Sequence, residues 1–217
     1  MPDPVLIAAA VVAGYVCGAL PFAYWVARSR GADIFRVGSG NPGATNVRRA
    51  LGKRAGNAVF VLDFLKGLVA ALWPRFAAGD ESTALVAAIA GLAAAVLGHS
   101  CSVFLKFRGG KGVATTMGGL AAIMPIVLAI GIAVWVVAFV LFRYVSLASL
   151  LFAASLPVSV QIVSREAGSL LFYFSLAVAV LIFYRHRSNI QSLLAGKENR
   201  FGKDRSESAD EKNNENG

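Results

Sequence analysis

Residues 37–49, "VGSGNPGATNVRR", lie between two long apolar runs and satisfy the pattern G-x-G-x-x-G, with Asp63 about twenty residues beyond. In a dinucleotide site such glycines follow a strand, open a helix and lay a pyrophosphate on its N-terminus, while the acidic residue takes the ribose. That meaning holds only inside a βαβ unit. Here the residues before the glycines belong to an apolar run, 4–27, and Asp63 falls inside the next one, 56–76. No ribose could reach it in a dinucleotide pose. The stretch is not a nucleotide site, and the fold must be read from the segments around it.

Those segments are 4–27, 56–76, 84–105, 113–142, 145–163 and 168–184. The 217 residues are 57% apolar and only 15% charged, against about 25% charged in an ordinary soluble domain. About 20 apolar residues suffice to cross a hydrocarbon core of roughly 30 Å, so these runs predict an all-α, polytopic integral membrane protein. No basic residue precedes the first run, which therefore reads as a retained span and not as a cleavable signal. Segment 113–142 is too long for one upright span, since its helix would reach about 45 Å. Pro125 interrupts it after Gly118, Gly119, Ala121 and Ala122, and a proline removes a donor and clashes with the preceding turn.

Charge arbitrates between one crossing and two. If 113–142 crosses twice, about seven transmembrane helices result, with the N-terminus outside and the C-terminus cytoplasmic. Of the 21 Lys+Arg residues, all but Lys66, Arg75 and Arg165 then face the cytoplasm. A single crossing would put the basic C-terminal segment outside. The expectation is thus one membrane-embedded domain over 1–202. Residues 203–217, "KDRSESADEKNNENG", polar and aperiodic, read as a disordered cytoplasmic tail.

Without a nucleotide, the glycines keep their chemistry. Gly38, Gly40 and Gly43 can bring backbone N–H groups around one anion, with Ser39, Asn41, Thr45 and Asn46 as side-chain donors and Arg48 and Arg49 as phosphate-matched cations. A Gly/Pro turn with surface arginines would look the same in isolation. The next polar loop weakens that alternative. "GHSCSVFLKFRGGKGVATTMGG" sets Gly109, Gly110 and Gly112 around Lys111, beside Lys106 and Arg108, and ends in Thr115 and Thr116. It lacks the spacing of a Walker A loop but offers an anion site at a helix start. "YRHRSNIQSLLAGKENR" adds His186, Arg187, Asn189 and Glu198, and its Ile190, Leu193 and Leu194 suggest a short surface helix. A positive-inside bias explains the Lys and Arg of these loops. It does not explain the Gly, Thr and Asn beside them.

"GSGNPGATNVRRALGK", "LGHSCSVFLKFRGGKGVAT" and "YRHRSNIQSLLAGKENR" resemble the three cytoplasmic motifs of the bacterial acyl-phosphate:glycerol-3-phosphate acyltransferases, integral membrane enzymes of the PlsY type. "LDFLKG" (62–67) and "RYVSLAS" (143–149) are similar to that family too, and the likeness covers about residues 5–202. Ser102 stands where the family usually has proline, and Lys197 where it usually has threonine. The resemblance implies acyl transfer from acyl phosphate to the 1-hydroxyl of glycerol 3-phosphate, giving lysophosphatidic acid and phosphate at the start of phospholipid biosynthesis. It implies a multi-pass protein of the bacterial plasma membrane with its site on the cytoplasmic side. Ser39, Arg49, Lys111 and Asn189 would contact phosphates and carbonyl, and Ser146 could join them from its own loop. His186 is implied at the site, either as base or, where the acyl phosphate's own oxygen takes the proton, as an orienting group.

No cofactor is expected. Cys17, Cys101, His99 and His186 are too few and too scattered for a zinc or iron site. The H-x4-D motif of thioester-using acyltransferases is absent, because Phe104 and Gln191 occupy the fifth positions after His99 and His186. The expected partners are the two substrates and the bilayer, with no nucleic acid, and the protein is expected to act as a monomer. Asp63 and Lys66 can pair on one helix face, and His99 reads as a helix-end residue in a structural hydrogen bond. A transporter of an anionic solute is the main alternative, though it would favour repeats and a midplane site. A non-catalytic headgroup binder is the other.

Overall fold

The computed structural model describes residues 1–164 and 169–202. Arg165 and the expected tail, 203–217, lie outside the described residues. The described residues form helices α1 (Pro4–Ala19), α2 (Phe22–Arg28), α3 (Ala44–Leu51), α4 (Lys53–Ala77), α5 (Glu81–Ser100), α6 (Val113–Ile123), α7 (Pro125–Phe142), α8 (Val145–Ser164), α9 (Leu170–Arg185) and α10 (Arg187–Leu194), with one 3-10 turn at Val103–Leu105. Among them there is no β-strand, only an isolated bridge between Ser102 and Arg108.

By length and hydropathy, five spans can cross a membrane: Pro4–Arg28, α4, α5, α7 and α8. The α9–α10 pair, bent by 60°, is a sixth candidate. The long apolar segment divides at Pro125, where the sequence puts the break, because proline opens α7 and Met124 leaves helical geometry. Its first half, α6, has 11 residues and reaches only about 16 Å, half a hydrocarbon core. The first span also breaks, at Pro21, which reading 4–27 as one continuous run did not anticipate. The freed Leu20 carbonyl accepts from the Lys66 ammonium at 3.2 Å.

Small residues let the first helices touch backbone to backbone. Gly14 and Gly18 of α1 pack against the backbones of Gly91 and Ala95 in α5, and Gly98 packs against that of Tyr15. This is the small-x3-small contact that substitutes for hydrophobic driving force in lipid. The matched order, 14 with 91 and 18 with 95, makes α1 and α5 parallel. On α4, Gly67 meets the Thr115 carbonyl, and Gly118 of α6 meets the Phe64 carbonyl. Arg75 then donates to the Ala122 carbonyl at 2.8 Å, so α6 runs alongside the second half of α4.

That register matters for function. Thr115 and Gly118, in the first two turns of α6, pack against Phe64, Gly67 and Leu68, about three turns inside α4. The loop that enters α6 therefore dips well below the start of α4, and the first turns of α4 stand above it as a wall. On the other side α7 and α8 form a hairpin in which Phe152 fills the space left by Gly131. The central core runs through Leu92, Val96, Leu120, Phe152, Leu156 and Ile182, all essentially buried.

The close contact of α4 with α6 predicts that Gly67→Val and Gly118→Val each destabilise by about 1–3 kcal/mol through overpacking. Gly79→Ala, which meets open space, serves as the neutral control. Thermal unfolding in detergent measures all three.

Candidate active site

The loop between α2 and α3 is organised around Asn46, which is buried at 2% exposure in the first turn of α3. Its side-chain oxygen accepts from the Ser39 N–H at 2.9 Å. Its amide donates to the carbonyls of Ile34 at 3.3 Å and Val37 at 2.9 Å. Gly38 takes φ +58° and lies so close to the Asn46 oxygen that a Cβ would collide with it. The expected nest of free glycine N–H groups is not what this loop builds. The N–H groups of Ser39, Gly40 and Gly43 all find partners within the loop, and Asn46 uses its donors to hold the loop together. The Ser39 side chain, Thr45, Arg48, Arg49 and the N-terminus of α3 are left facing the cavity.

The second motif leaves α5 at Cys101 and turns through Lys106 and Phe107, both at positive φ. Arg108 stacks its guanidinium 3.7 Å above the Phe35 ring, tying this loop to the first. Gly112 caps α6 in left-handed geometry at φ +82°, and Lys111 sits at the mouth of that helix. Thr115 and Thr116, which the sequence offered as further donors, are fully buried with their hydroxyls unpartnered. Thr115 packs its backbone on Gly67 at the α4–α6 contact, and neither threonine lines the cavity.

The third motif is the bend between α9 and α10. His186 is buried at the bend, with Nδ1 2.8 Å from the Ile182 carbonyl. A carbonyl can only accept, so Nδ1 carries the proton and Nε2 is left as an acceptor. Asn189 accepts from the Lys111 ammonium through its oxygen and donates to both oxygens of Glu198 at 2.9 and 3.1 Å. The Ser146 hydroxyl, from the first turn of α8, donates to the same carboxylate at 3.0 Å. Lys111, Asn189, Glu198 and Ser146 thus form one chain of polar contacts across three separate parts of the sequence.

These groups line a single cavity of about 1020 Å³. It takes in Ser39, Gly40, Asn41, Gly43, Thr45, Asn46, Arg48, Arg49, Arg108, Gly109, Lys111, Gly112, Ser146, His186, Asn189 and Glu198. Gly38, Lys106 and Gly110 do not line it. Lys106 is exposed on the loop surface, and Gly110 is turned toward the ring of His99. Phe60, Met117, Trp135 and Phe139 give the cavity an apolar wall between α4 and α7. Over its mouth passes the segment after α10. Arg49 reaches the Asn199 carbonyl at 3.4 Å, Arg48 stacks 5.0 Å from the centre of the Phe201 ring, and the Phe201 N–H donates to the Arg143 carbonyl at 2.8 Å. Among the described residues no group of three or more His, Cys, Asp or Glu side chains could hold a metal ion.

A family model described as glycerol-3-phosphate acyltransferase matches residues 8–196. The chain belongs to the glycerol-3-phosphate acyltransferase family. It is 44% identical over 200 residues to the glycerol-3-phosphate acyltransferase of Aquifex aeolicus, covering 88% of this chain and 97% of that one. To its namesake in Endomicrobium trichonymphae it is 43% identical, covering 88% and 94%. Its fold is similar to the crystal structure of PlsY (YgiH), an integral membrane glycerol 3-phosphate acyltransferase, in the glycerol 3-phosphate form. The TM-score is 0.81 at 41% identity, over 90% of this chain and 96% of that one. The lysophosphatidic acid form of PlsY superposes with a TM-score of 0.78 at 40% identity, over 90% and 95%.

Reading the sequence for this family member missed the apolar wall, because an aromatic facing a cavity and one facing lipid look alike inside a span. Nor does the sequence show that the Arg185 guanidinium donates to the carbonyls of Gly110 at 3.1 Å and Gly109 at 2.7 Å. Burial holds the Lys111 ammonium down at about 8, with Glu198 pulling it up and Arg49 and Arg185 pushing it down. Burial takes the His186 imidazole down to about 4, the positive charge of Lys111 adding to the effect. At neutral pH the ammonium is charged and the imidazole is not.

Asn46→Ala is expected to destabilise by about 1–3 kcal/mol, since it leaves the part-buried Ser39 N–H and the Ile34 carbonyl without their partner. Thermal unfolding of the purified variant against the parent protein checks this.

Proposed function

We propose that the chain transfers a fatty acyl group from acyl phosphate to the 1-hydroxyl of glycerol 3-phosphate. The products are 1-acyl-glycerol 3-phosphate and inorganic phosphate, and the reaction is the first acylation of phospholipid biosynthesis. The observation that carries this reading is the shared cavity. Donors and cations from three loops meet at one end of it, and an aromatic wall between α4 and α7 continues it toward the membrane interior. The names of the relatives and the two liganded forms of PlsY supply the acceptor and the product class.

Two phosphorylated reactants repel each other, so the site must supply cations before it can supply chemistry. Lys111 and Arg49 offset the two charges, and the N-termini of α3 and α6 add oriented N–H groups. Ser39 and Asn189 hold phosphate and carbonyl oxygens, and Asn189 is itself held by Glu198. The acyl chain lies along Phe60, Met117, Trp135 and Phe139. The hydroxyl oxygen attacks the acyl carbonyl carbon, the bond from that carbon to the phosphate oxygen breaks, and the hydroxyl proton ends on the departing phosphate. An imidazole held near 4 is a weak base, so His186 orients a substrate hydroxyl through Nε2 and the acyl phosphate takes the proton. The charge distribution supports a single domain over 1–202 in the bacterial plasma membrane, acting as a monomer, with the N-terminus outside and the three motifs in the cytoplasm.

Purified protein in detergent is expected to release phosphate only when acyl phosphate and glycerol 3-phosphate are both present, and to release no CoA when acyl-CoA replaces acyl phosphate. No turnover, together with uptake of a phosphorylated solute into vesicles, overturns the reading. Ser39→Ala, Lys111→Ala and Asn189→Ala are each expected to lower kcat by about 10²–10³-fold while the protein still folds.

The required charged form of Lys111 also sets a pH dependence. Its ammonium is fully protonated well below 8 and deprotonates as pH rises through about 8. The kcat/KM for glycerol 3-phosphate should therefore fall above that value, and Lys111→Arg should lack this limb. An unchanged alkaline limb in that variant would assign it to another group.

A further inference from the structure

The second motif carries two glycines that the reaction does not use directly. Gly109 packs on the backbone of His99 and Ser100, and Gly110 packs on the His99 ring with its edge nitrogen foremost, so neither has room for a Cβ. The Gly110 N–H donates to the His99 carbonyl at 3.0 Å. Arg185 holds the carbonyls of the same two residues. The peptide immediately before Lys111 is therefore fixed by a ring packed on it and by a guanidinium bonded to its carbonyls.

The ring is itself held. His99 is 8% exposed and its Nδ1 lies 3.6 Å from an oxygen of Asp63, the same oxygen that takes the Lys66 ammonium at 2.9 Å. Lys66 is anchored in turn on the Leu20 carbonyl at the α1–α2 break. A histidine that merely satisfied its own polar atoms at a helix end would need Asp63 and nothing more. It would not account for a loop built so that the ring's other edge bears on Gly110.

We infer that His99 and Arg185 are positioning residues that act through Lys111, together fixing the Gly109–Gly110 turn so that the ammonium meets Asn189 in the cavity. The inference rests on the role of Lys111 proposed above. Displacing a reacting or charge-stabilising group by about 1 Å can cost up to about 10²-fold in rate, so a loose clamp would be felt in catalysis while the fold persists.

The test is a pair of double-mutant cycles. His99→Gln and Arg185→Gln are made singly and each in a Lys111→Ala background, and kcat and both KM values are measured by phosphate release. Size-exclusion chromatography and thermal unfolding verify folding. Each single variant is expected to lose about tenfold or more in kcat. In the Lys111→Ala background the same substitutions should cost less than about twofold, because the group they position is gone. Equal losses in the two backgrounds would overturn the proposal, and they are what direct contact of Arg185 with a substrate, or a purely structural role of His99, would produce. Near-wild-type kcat in both single variants would overturn it as well. Should His99→Gln fail to fold, Arg185→Gln, at the end of α9 and away from the buried Asp63, decides alone. A Lys111→Ala protein with near-normal activity is a separate result, since it removes the site reading on which the inference stands.

Discussion

The contact of α6 with the second half of α4, made where Gly67 and Gly118 bring two backbones together, fixes the depth at which everything else must work. A helix whose first turns pack about three turns along its neighbour pulls the loop before it down into the body of the bundle, and that loop carries Lys111. Polar backbone at such depth is tolerated only where protein or a water-filled cavity surrounds it. The bundle meets the condition in two ways. His99, backed by Asp63 and Lys66, packs against the loop, and the loop borders the cavity. A full-length α6 would have carried Lys111 to the top of α4, where the loop would be an ordinary surface turn.

Placing cations there has an electrostatic consequence. Two unit charges about 4 Å apart repel by about 4 kcal/mol at an effective dielectric of about 20, and each phosphorylated reactant carries more than one charge. One lysine cannot offset that. Lys111, Arg49 and Arg185 crowd the same space and act against one another, which is part of why the Lys111 ammonium is held down at about 8. Glu198 holds the cluster in place through Asn189 and Ser146, and its charge offsets part of the repulsion, pulling the Lys111 ammonium back up. Anionic reactants relieve the repulsion when they bind, so substrate binding and retention of the Lys111 proton favour each other.

Much of this was legible in the sequence, for identifiable reasons. Pro125 announces its break because proline lacks a donor in any context, and the donor-rich loops stand out because lipid-facing charge bias does not call for Thr and Asn. The three loops could be assigned to one face, but their convergence on one cavity could not be read from spacing. Gly109 and Gly110 read as a phosphate cradle, yet the space they vacate is filled by His99 and Ser100. Asn46 read as a donor to substrate, yet its hydrogens close the loop. In both cases the residue type was informative and the partner was not, since a glycine or an asparagine serves a ligand and a tight loop by the same chemistry. Gly14 and Gly18 went unnoticed because a small pair in an alanine-rich run has no contrast. Phe60, Trp135 and Phe139 were hidden for the same reason among the apolar residues of α4 and α7.

The two departures from the family pattern show which parts of the motifs are constrained by geometry and which by chemistry. Proline would fix φ near −65° at position 102, and Ser102 adopts −69°. Its hydroxyl donates to the Ala19 carbonyl at 2.6 Å, joining the loop to the end of α1, while its own carbonyl accepts from Leu105 and Phe107 at 3.1 and 2.8 Å. The turn is thus held by a hydrogen bond where a ring would hold it by covalent restriction, and the path from His99 to Lys111 is preserved. Lys197 is exposed, and its backbone N–H donates to the Ser192 carbonyl at 2.8 Å. That bond orients the following residue, Glu198, into the cavity whatever side chain precedes it. Position 102 must supply a backbone shape and position 197 a backbone donor, so both tolerate replacement. Lys111 and Asn189 meet through their side chains and have no such freedom.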